Sequence, residues 1–187
     1  MKNKIYDCIT FYNENLLTNS RFEILNDVVD YFIVCESNFD HLRNPKKINF
    51  ELENSKFKKK VRHIIIEENF PKDLDGWSIE KYQREKILDS ITDAAQDDLI
   101  MYSDSDEIPN PKLLSNFNLK KKYGIFLQKF FFYKINLFNK YETPWQGTRI
   151  CKRKDLKSIS FLRKKIKSEN LKKSFWKIQY ERSIELI

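Results

Sequence analysis

Glycine is scarce: only Gly76, Gly124 and Gly147 occur in 187 residues. No G-x-x-x-x-G-K-[ST] loop can be assembled from them, which removes phosphotransfer of the P-loop kind. The three cysteines, Cys8, Cys35 and Cys151, are scattered, and none belongs to a C-x-x-C pair. With only His41 and His63 to join them, a disulfide framework and a structural zinc site are both excluded. Reduced thiols in a cytosolic protein are the simpler expectation. No apolar run approaches the roughly 18–20 residues of a membrane span. The richest stretch, residues 123–138, is interrupted by Gln128, Lys129, Lys134 and Asn136. Met1 to Asp7 lacks the apolar segment of a secretory signal, so the expected location is the cytoplasm.

What is present suits one folded α/β domain. The chain is 41% apolar and 14% aromatic, which excludes a disordered segment. Net charge is +8, from 35 basic and 27 acidic side chains. That excess suits an anionic partner, whether a phosphorylated substrate, nucleic acid or the surface of an anionic membrane, and it equally suits solvated lysines. Aromatics interleaved with lysines between Phe126 and Phe138 fit a single-strand nucleic-acid module. The same residues alternate as core strand residues do, so the nucleic-acid module stands as a rival reading only.

Strand-like and helix-like segments alternate, the pattern of a parallel sheet with crossover helices. Strands are expected at residues 4–12, 30–36, 61–67 and 99–102, and at 148–152. A helix is expected at 14–28 and another at 78–95, with Ser78 as its cap and Glu80 and Glu85 in its first turns. A short helical piece after Pro109 and Pro111 leads into a long aromatic strand region at 123–138. The segment from Lys154 onward reads as a basic tail anchored by Phe161, Phe175 and Trp176.

Residues 97–107, Asp-Asp-Leu-Ile-Met-Tyr-Ser-Asp-Ser-Asp-Glu, carry the chemistry. Four apolar residues deliver Asp104, Asp106 and Glu107 to a strand's carboxyl end, where open α/β sheets bind ligands. Crowded carboxylates repel one another unless a cation neutralises them. A hard ion such as Mg²⁺ or Mn²⁺ does so with one or two carboxylates and the oxygens of a diphosphate. A solvated acidic turn is the alternative; an EF-hand is excluded, because Pro109 stands where its glycine is needed. Arg84 shares a helical face with Ile87, Leu88 and Ile91, and Arg21 with Leu17, Ile24, Leu25 and Val28, so each needs an anionic partner in the interior. For Arg84 that is a diphosphate or a carboxylate, and for Arg21 Glu36 is a candidate. Phe11-Tyr12-Asn13-Glu14 follows the first strand, where it can cradle a base or, through Asn13, cap a helix.

Taken in order, these pieces resemble glycosyltransferase family 17, which contains the β-1,4-mannosyl-glycoprotein 4-β-N-acetylglucosaminyltransferases. The resemblance runs over about residues 4–152. It is carried by Ile5-Tyr6-Asp7-Cys8, Phe11-Tyr12-Asn13-Glu14, Arg21, Asn26 to Phe32, Glu36-Ser37, Trp77, Glu80 and Gln83-Arg84. Asp97 to Ile100, Ser103 to Pro109, Trp145 and Gly147-Thr148-Arg149 complete it. It implies a GT-A type fold and an inverting, metal-dependent transfer, with UDP-N-acetylglucosamine as donor and a glycan as acceptor. Asp104 and Asp106 would hold Mn²⁺ or Mg²⁺ and, through it, the diphosphate. Phe11, Asn13, Glu14 and Arg84 would lie near the nucleotide. Trp145 and Arg149 would shape the acceptor side, and Glu107 or Glu36 would supply the base. Residues 1–109 would then form the nucleotide-sugar half and 110–152 the acceptor half. A Gly-Trp-His-Phe-Ser-like family segment is not found, and residues 153–187 stand in its place. A truncated relative that binds donor without turnover is therefore the second rival.

Overall fold

The computed structural model describes residues 3–132, 136–164 and 175–178. Seven strands occur among them: β1 (Ile5–Phe11), β2 (Tyr31–Ser37), β3 (Val61–Ile66), β4 (Leu99–Ser103), β5 (Tyr123–Gln128), β6 (Trp145–Lys152) and β7 (Phe175–Ile178). Three α-helices, α1 (Asn15–Leu25), α2 (Gly76–Lys86) and α3 (Ile159–Arg163), flank the sheet. The spatial order is β3-β2-β1-β4-β6-β5-β7. Strand β6 runs antiparallel to β4 and β5, and every other pairing is parallel. This is the mostly parallel α/β sheet with flanking helices that was expected.

Alternation along the strands builds two core layers. Ile5, Ile9 and Phe11 of β1, with Leu99 and Met101 of β4, pack with Phe22 and Leu25 of α1. Tyr6 and Cys8, with Ile100 and Tyr102, face the other way into a layer with Ile87, Ile91, Ile159 and Leu162. Both faces are covered, which is why the strands read as nearly continuous apolar runs. All three cysteines are free and buried, and burial raises the Cys35 thiol to about 12.

Several boundaries differ from expectation for local reasons. Helix α1 ends at Leu25 and buries Thr18, Arg21, Phe22 and Leu25, so its inner stripe is rotated away from Leu17, which is exposed. Helix α2 begins at Gly76, because the Asp75 carboxylate accepts from Ser78 N at 2.8 Å and is the cap in place of Ser78. It tightens into a 3-10 turn at Ile87–Ser90. The chain then turns toward β4 because Asp98 competes for backbone donors, accepting from Ala95 N and Lys4 N at 2.9 Å each. The strand expected at 123–138 stops at Gln128, leaving a lone bridge between Phe131 and Phe138. Residues 133–135 and the side chains of Phe175 and Trp176 lie outside the described residues. The segment after 153 is more than a tail: α3 packs Ile159 and Leu162 into the core and β7 extends the sheet beside β5.

Candidate active site

The strand order reverses between β1 and β4, so their carboxyl ends open a crevice, as open α/β sheets do at such a point. A cavity of about 470 Å³ lies there. Thr10, Phe11, Tyr12 and Glu14 line it from the end of β1, and Asp104 and Ser105 from the end of β4. His41, Glu80 and Gln83 close the opposite wall, with His41 Nε2 and Gln83 Oε1 at 3.1 Å.

The acidic loop after β4 is shaped from beneath by Arg21. Its Nε and Nη2 donate to the Asp7 carboxylate at 2.6 and 2.7 Å, and Nη2 also donates to Ser103 Oγ at 2.6 Å. Nη1 donates to the backbone carbonyl of Glu107 at 3.1 Å and more distantly to those of Asp104 and Ser105. Arg21 and Asp7 are both buried. Burial works against the guanidinium's charge, but the Asp7 carboxylate outweighs it and the arginine's pKa is raised. The interior partner of Arg21 is thus Asp7, not Glu36. Alternation put Asp7 on the α1 face of β1, a signal the sequence carried and the motif reading passed over.

Glu107 sits under the loop's far end. Its Oε1 accepts from Trp145 Nε1 at 2.6 Å and from Arg163 Nη2 at 2.9 Å, and its Oε2 accepts from Asp104 N at 3.3 Å. Burial raises its pKa, and the neighbouring Asp104 charge adds to that, against Arg163. Asp106 is exposed to solvent, yet desolvation within the loop, followed by Asp104's charge, also raises its pKa. The loop's exit is held by Gln128, whose Nε2 donates to Ile108 O at 2.7 Å while Oε1 accepts from Thr148 N at 3.1 Å. Thr148 Oγ1 donates to Glu107 O at 2.7 Å. Gly147 makes this bracket feasible, since a Cβ there would stand 1.4 Å from Gln128 Oε1.

Of the residues singled out from sequence, the cavity brings together Phe11, Glu14 and Asp104. Asn13 is exposed, does not line the cavity and does not cap α1; Glu14 occupies the cap position, and its carboxylate accepts from Tyr12 N and Asn13 N. Arg84 pairs with Glu80 and donates from Nε to Tyr102 Oη at 3.0 Å, which links it to Thr10 Oγ1, 3.2 Å from that hydroxyl. Glu36 is enclosed and does not reach the cavity. Its oxygens are taken by Lys46 Nζ at 2.6 Å, Asn49 N at 2.7 Å and Phe50 N at 3.1 Å, with His63 Nε2 at 3.2 Å. It pins the loop after β2, away from the cavity lining. Arg149, expected on the acceptor side, lies in the interior. It is fully buried in register with Tyr102, donates from Nη1 to the carbonyls of Gln146 and Gly147, and presents nothing to an open acceptor face. Burial, and then the charge of Arg163, lower its pKa to about 10. Trp145 is half-buried, stacks on Phe130 at 5.0 Å and braces Glu107. Arg163 itself, in the segment read as a tail, was not singled out at all.

Does a divalent ion suit these residues? Among the described residues no group of three metal-ligating side chains forms a closed cage. Asp104 reaches the cavity with Oδ1 facing no hydrogen-bond donor among the described residues, while Oδ2 accepts from Arg163. One or two carboxylates completed by phosphate and water oxygens are the donor set of Mg²⁺-type sites, so the residues fit such an ion held jointly with substrate.

An open, mostly parallel sheet with an acidic loop at its switch point is the ligand-binding arrangement of open α/β folds. The model of glycosyltransferase family 17 matches residues 1–160, and the chain belongs to that family. It is 32% identical over 117 residues to the β-1,4-mannosyl-glycoprotein 4-β-N-acetylglucosaminyltransferases of Rattus norvegicus and Homo sapiens. Each match spans 57% of this chain and 22% of the relative. A solved glycosyltransferase involved in the glycosylation of the major capsid of PBCV-1 aligns at TM-score 0.37 and 12% identity, covering 80% of this chain and 60% of that one.

Proposed function

We propose that this chain transfers N-acetylglucosamine from UDP-N-acetylglucosamine to a glycan hydroxyl by a single inverting displacement. The observation that carries this reading is Asp104 at the wall of the switch-point cavity, delivered by β4 and fixed from below by Arg21. Asp104 with Asp106 would hold Mn²⁺ or Mg²⁺, which supplies positive charge for the departing diphosphate. Phe11 and Glu14 line the donor cavity. Arg84 holds the Tyr102 hydroxyl and the Glu80 carboxylate beside it.

Glu107 is the base of this proposal. Burial raises its pKa toward the range in which a carboxylate takes up a proton, and Trp145 fixes its orientation. Withdrawal of Arg163 would remove one of the two donors on Oε1 and leave a position for an acceptor hydroxyl beside Trp145 Nε1. The single displacement then forms the bond from acceptor oxygen to anomeric carbon as the bond to the diphosphate oxygen breaks, with the proton passing to Glu107. UDP release from UDP-N-acetylglucosamine, measured with a panel of glycan acceptors, tests the reading. Glu107→Gln should abolish acceptor-dependent release and keep donor binding, and loss of both would refute the assignment.

A further inference from the structure

We propose that Arg163 is a built-in counter-ion that competes with a divalent cation for Asp104, so that a cation engaging Oδ2 is held only as this guanidinium withdraws. The inference rests on the reading of Asp104 as a cation ligand.

One nitrogen, Arg163 Nη2, lies 2.6 Å from Asp104 Oδ2 and 2.9 Å from Glu107 Oε1. It therefore fills the point between two carboxylates where positive charge is best placed. A Mg²⁺-sized ion bound to the same oxygen would need a distance of about 2.0–2.1 Å and would overlap the guanidinium. Charge-assisted bonds of this kind are the strong ones, so the seat is a real competitor. The Arg163 side chain is 14% exposed and that of Asp104 45%, which leaves a route from solvent to the contact.

The arm that delivers Arg163 is built for the purpose. Ser158 Oγ accepts from Phe161 N at 3.0 Å, and the Glu85 carboxylate accepts from Ser160 N at 2.9 Å and Ile159 N at 3.2 Å. Ile159 and Leu162 are fully buried. The base of α3 is thus fixed, and Arg163, its last residue, is followed by Lys164 in extended backbone. Rotation of one side chain suffices to clear the carboxylates. Arg149 supplies the opposing push. It is fully buried, its Nε and Nη2 meet no hydrogen-bond partner, and its charge and that of Arg163 repel. Among the described residues, the Asp104 and Glu107 carboxylates are the hydrogen-bond partners that hold Arg163 against that repulsion. When a cation takes them, the guanidinium loses its reason to stay.

The test is Mn²⁺ uptake by the full chain without nucleotide sugar, read from the electron paramagnetic resonance of free Mn²⁺. Arg163→Gln should bind Mn²⁺ about tenfold more tightly than the wild type. Arg163→Lys, which keeps the charge and loses the fork, should fall between them. Glu85→Gln, which loosens α3 and leaves Arg163 in the chain, should move affinity in the same direction by a smaller factor. Circular dichroism certifies the fold of each variant. Equal or weaker uptake by folded Arg163→Gln overturns the competition and leaves the role of Asp104 standing. No uptake by any variant, even with UDP-N-acetylglucosamine added, overturns both.

Discussion

Replacing Asp7 with asparagine removes the charge that keeps Arg21 in the interior. The side chains are 0% and 1% exposed, so the guanidinium has no route to water. Breaking one partner of such a pair costs about 3–5 kcal/mol, because the survivor stays buried and charged. Here Ser103 Oγ and Glu107 O remain as acceptors, which places the expected loss near the lower end, about 3 kcal/mol. Domains are commonly stable by about 5–15 kcal/mol, so the variant should fold and be clearly weakened. With a urea dependence of about 2 kcal/mol per molar, the unfolding midpoint should fall by roughly 1.5 M. The paired change Asp7→Leu with Arg21→Met should cost less than Asp7→Asn alone, since no charge is stranded. It should still weaken donor binding, because the carbonyls of Asp104, Ser105 and Glu107 lose the donor that sets the loop. A midpoint shift below about 0.3 M in Asp7→Asn would refute the reasoning.

Gly147→Ala drives a Cβ against Gln128 and should cost about 2–3 kcal/mol in urea unfolding, with the two losses less than additive when Gln128→Ala is combined with it, since that change removes the clash along with the bonds to Ile108 O and Thr148 N. His63 has its pKa lowered, by burial first, with Glu36 only partly offsetting it. The native protein then binds fewer protons than the unfolded chain, so its stability is intact above the ordinary histidine pKa of about 6.5 and falls as pH drops below it. His63→Phe should flatten that dependence between about pH 7.5 and 5.5, and an unchanged slope would contradict it. Trp145→Phe removes one donor to Glu107 and should lower turnover about tenfold with donor affinity nearly unchanged, as steady-state kinetics beside calorimetry would show. Exposed Phe131, Phe138 and Tyr141, with Lys140 over the Tyr141 ring, give the anionic membrane surface, one of the partners that suit the net charge, a place to be tested. Co-sedimentation with phosphatidylglycerol vesicles should occur at low salt and fade at high salt, and binding that ignores salt would count against it.

Patterns with one dominant cause were legible in the sequence. The buried runs Ile33-Val34-Cys35 and Leu99-Ile100-Met101-Tyr102 announced central strands, and the carboxylates following the second announced the site. Side chains that compete with the backbone were harder to read. Asp75 and Asp98 moved helix boundaries by taking N–H groups, and Gln128, the last residue of β5, braces the acidic loop against β6. Long-range charge pairing was least legible. Glu36 and Glu107 look alike as acids beside strands, yet the first is consumed by Lys46 and two amides while the second lies beside Asp104. Arg163 is 59 residues from Asp104 in sequence, and nothing in a run of lysines and arginines marks the one that folds back onto an acid.

In the proposed reaction, Asp104 grips the donor's diphosphate through a divalent ion. Calorimetric titration of UDP-N-acetylglucosamine into the wild type and into Asp104→Asn, each with and without Mn²⁺, tests it most directly. Wild-type binding should require Mn²⁺ and weaken by at least about thirtyfold in the variant, a loss of about 2 kcal/mol. Equal affinity in all four titrations would contradict it.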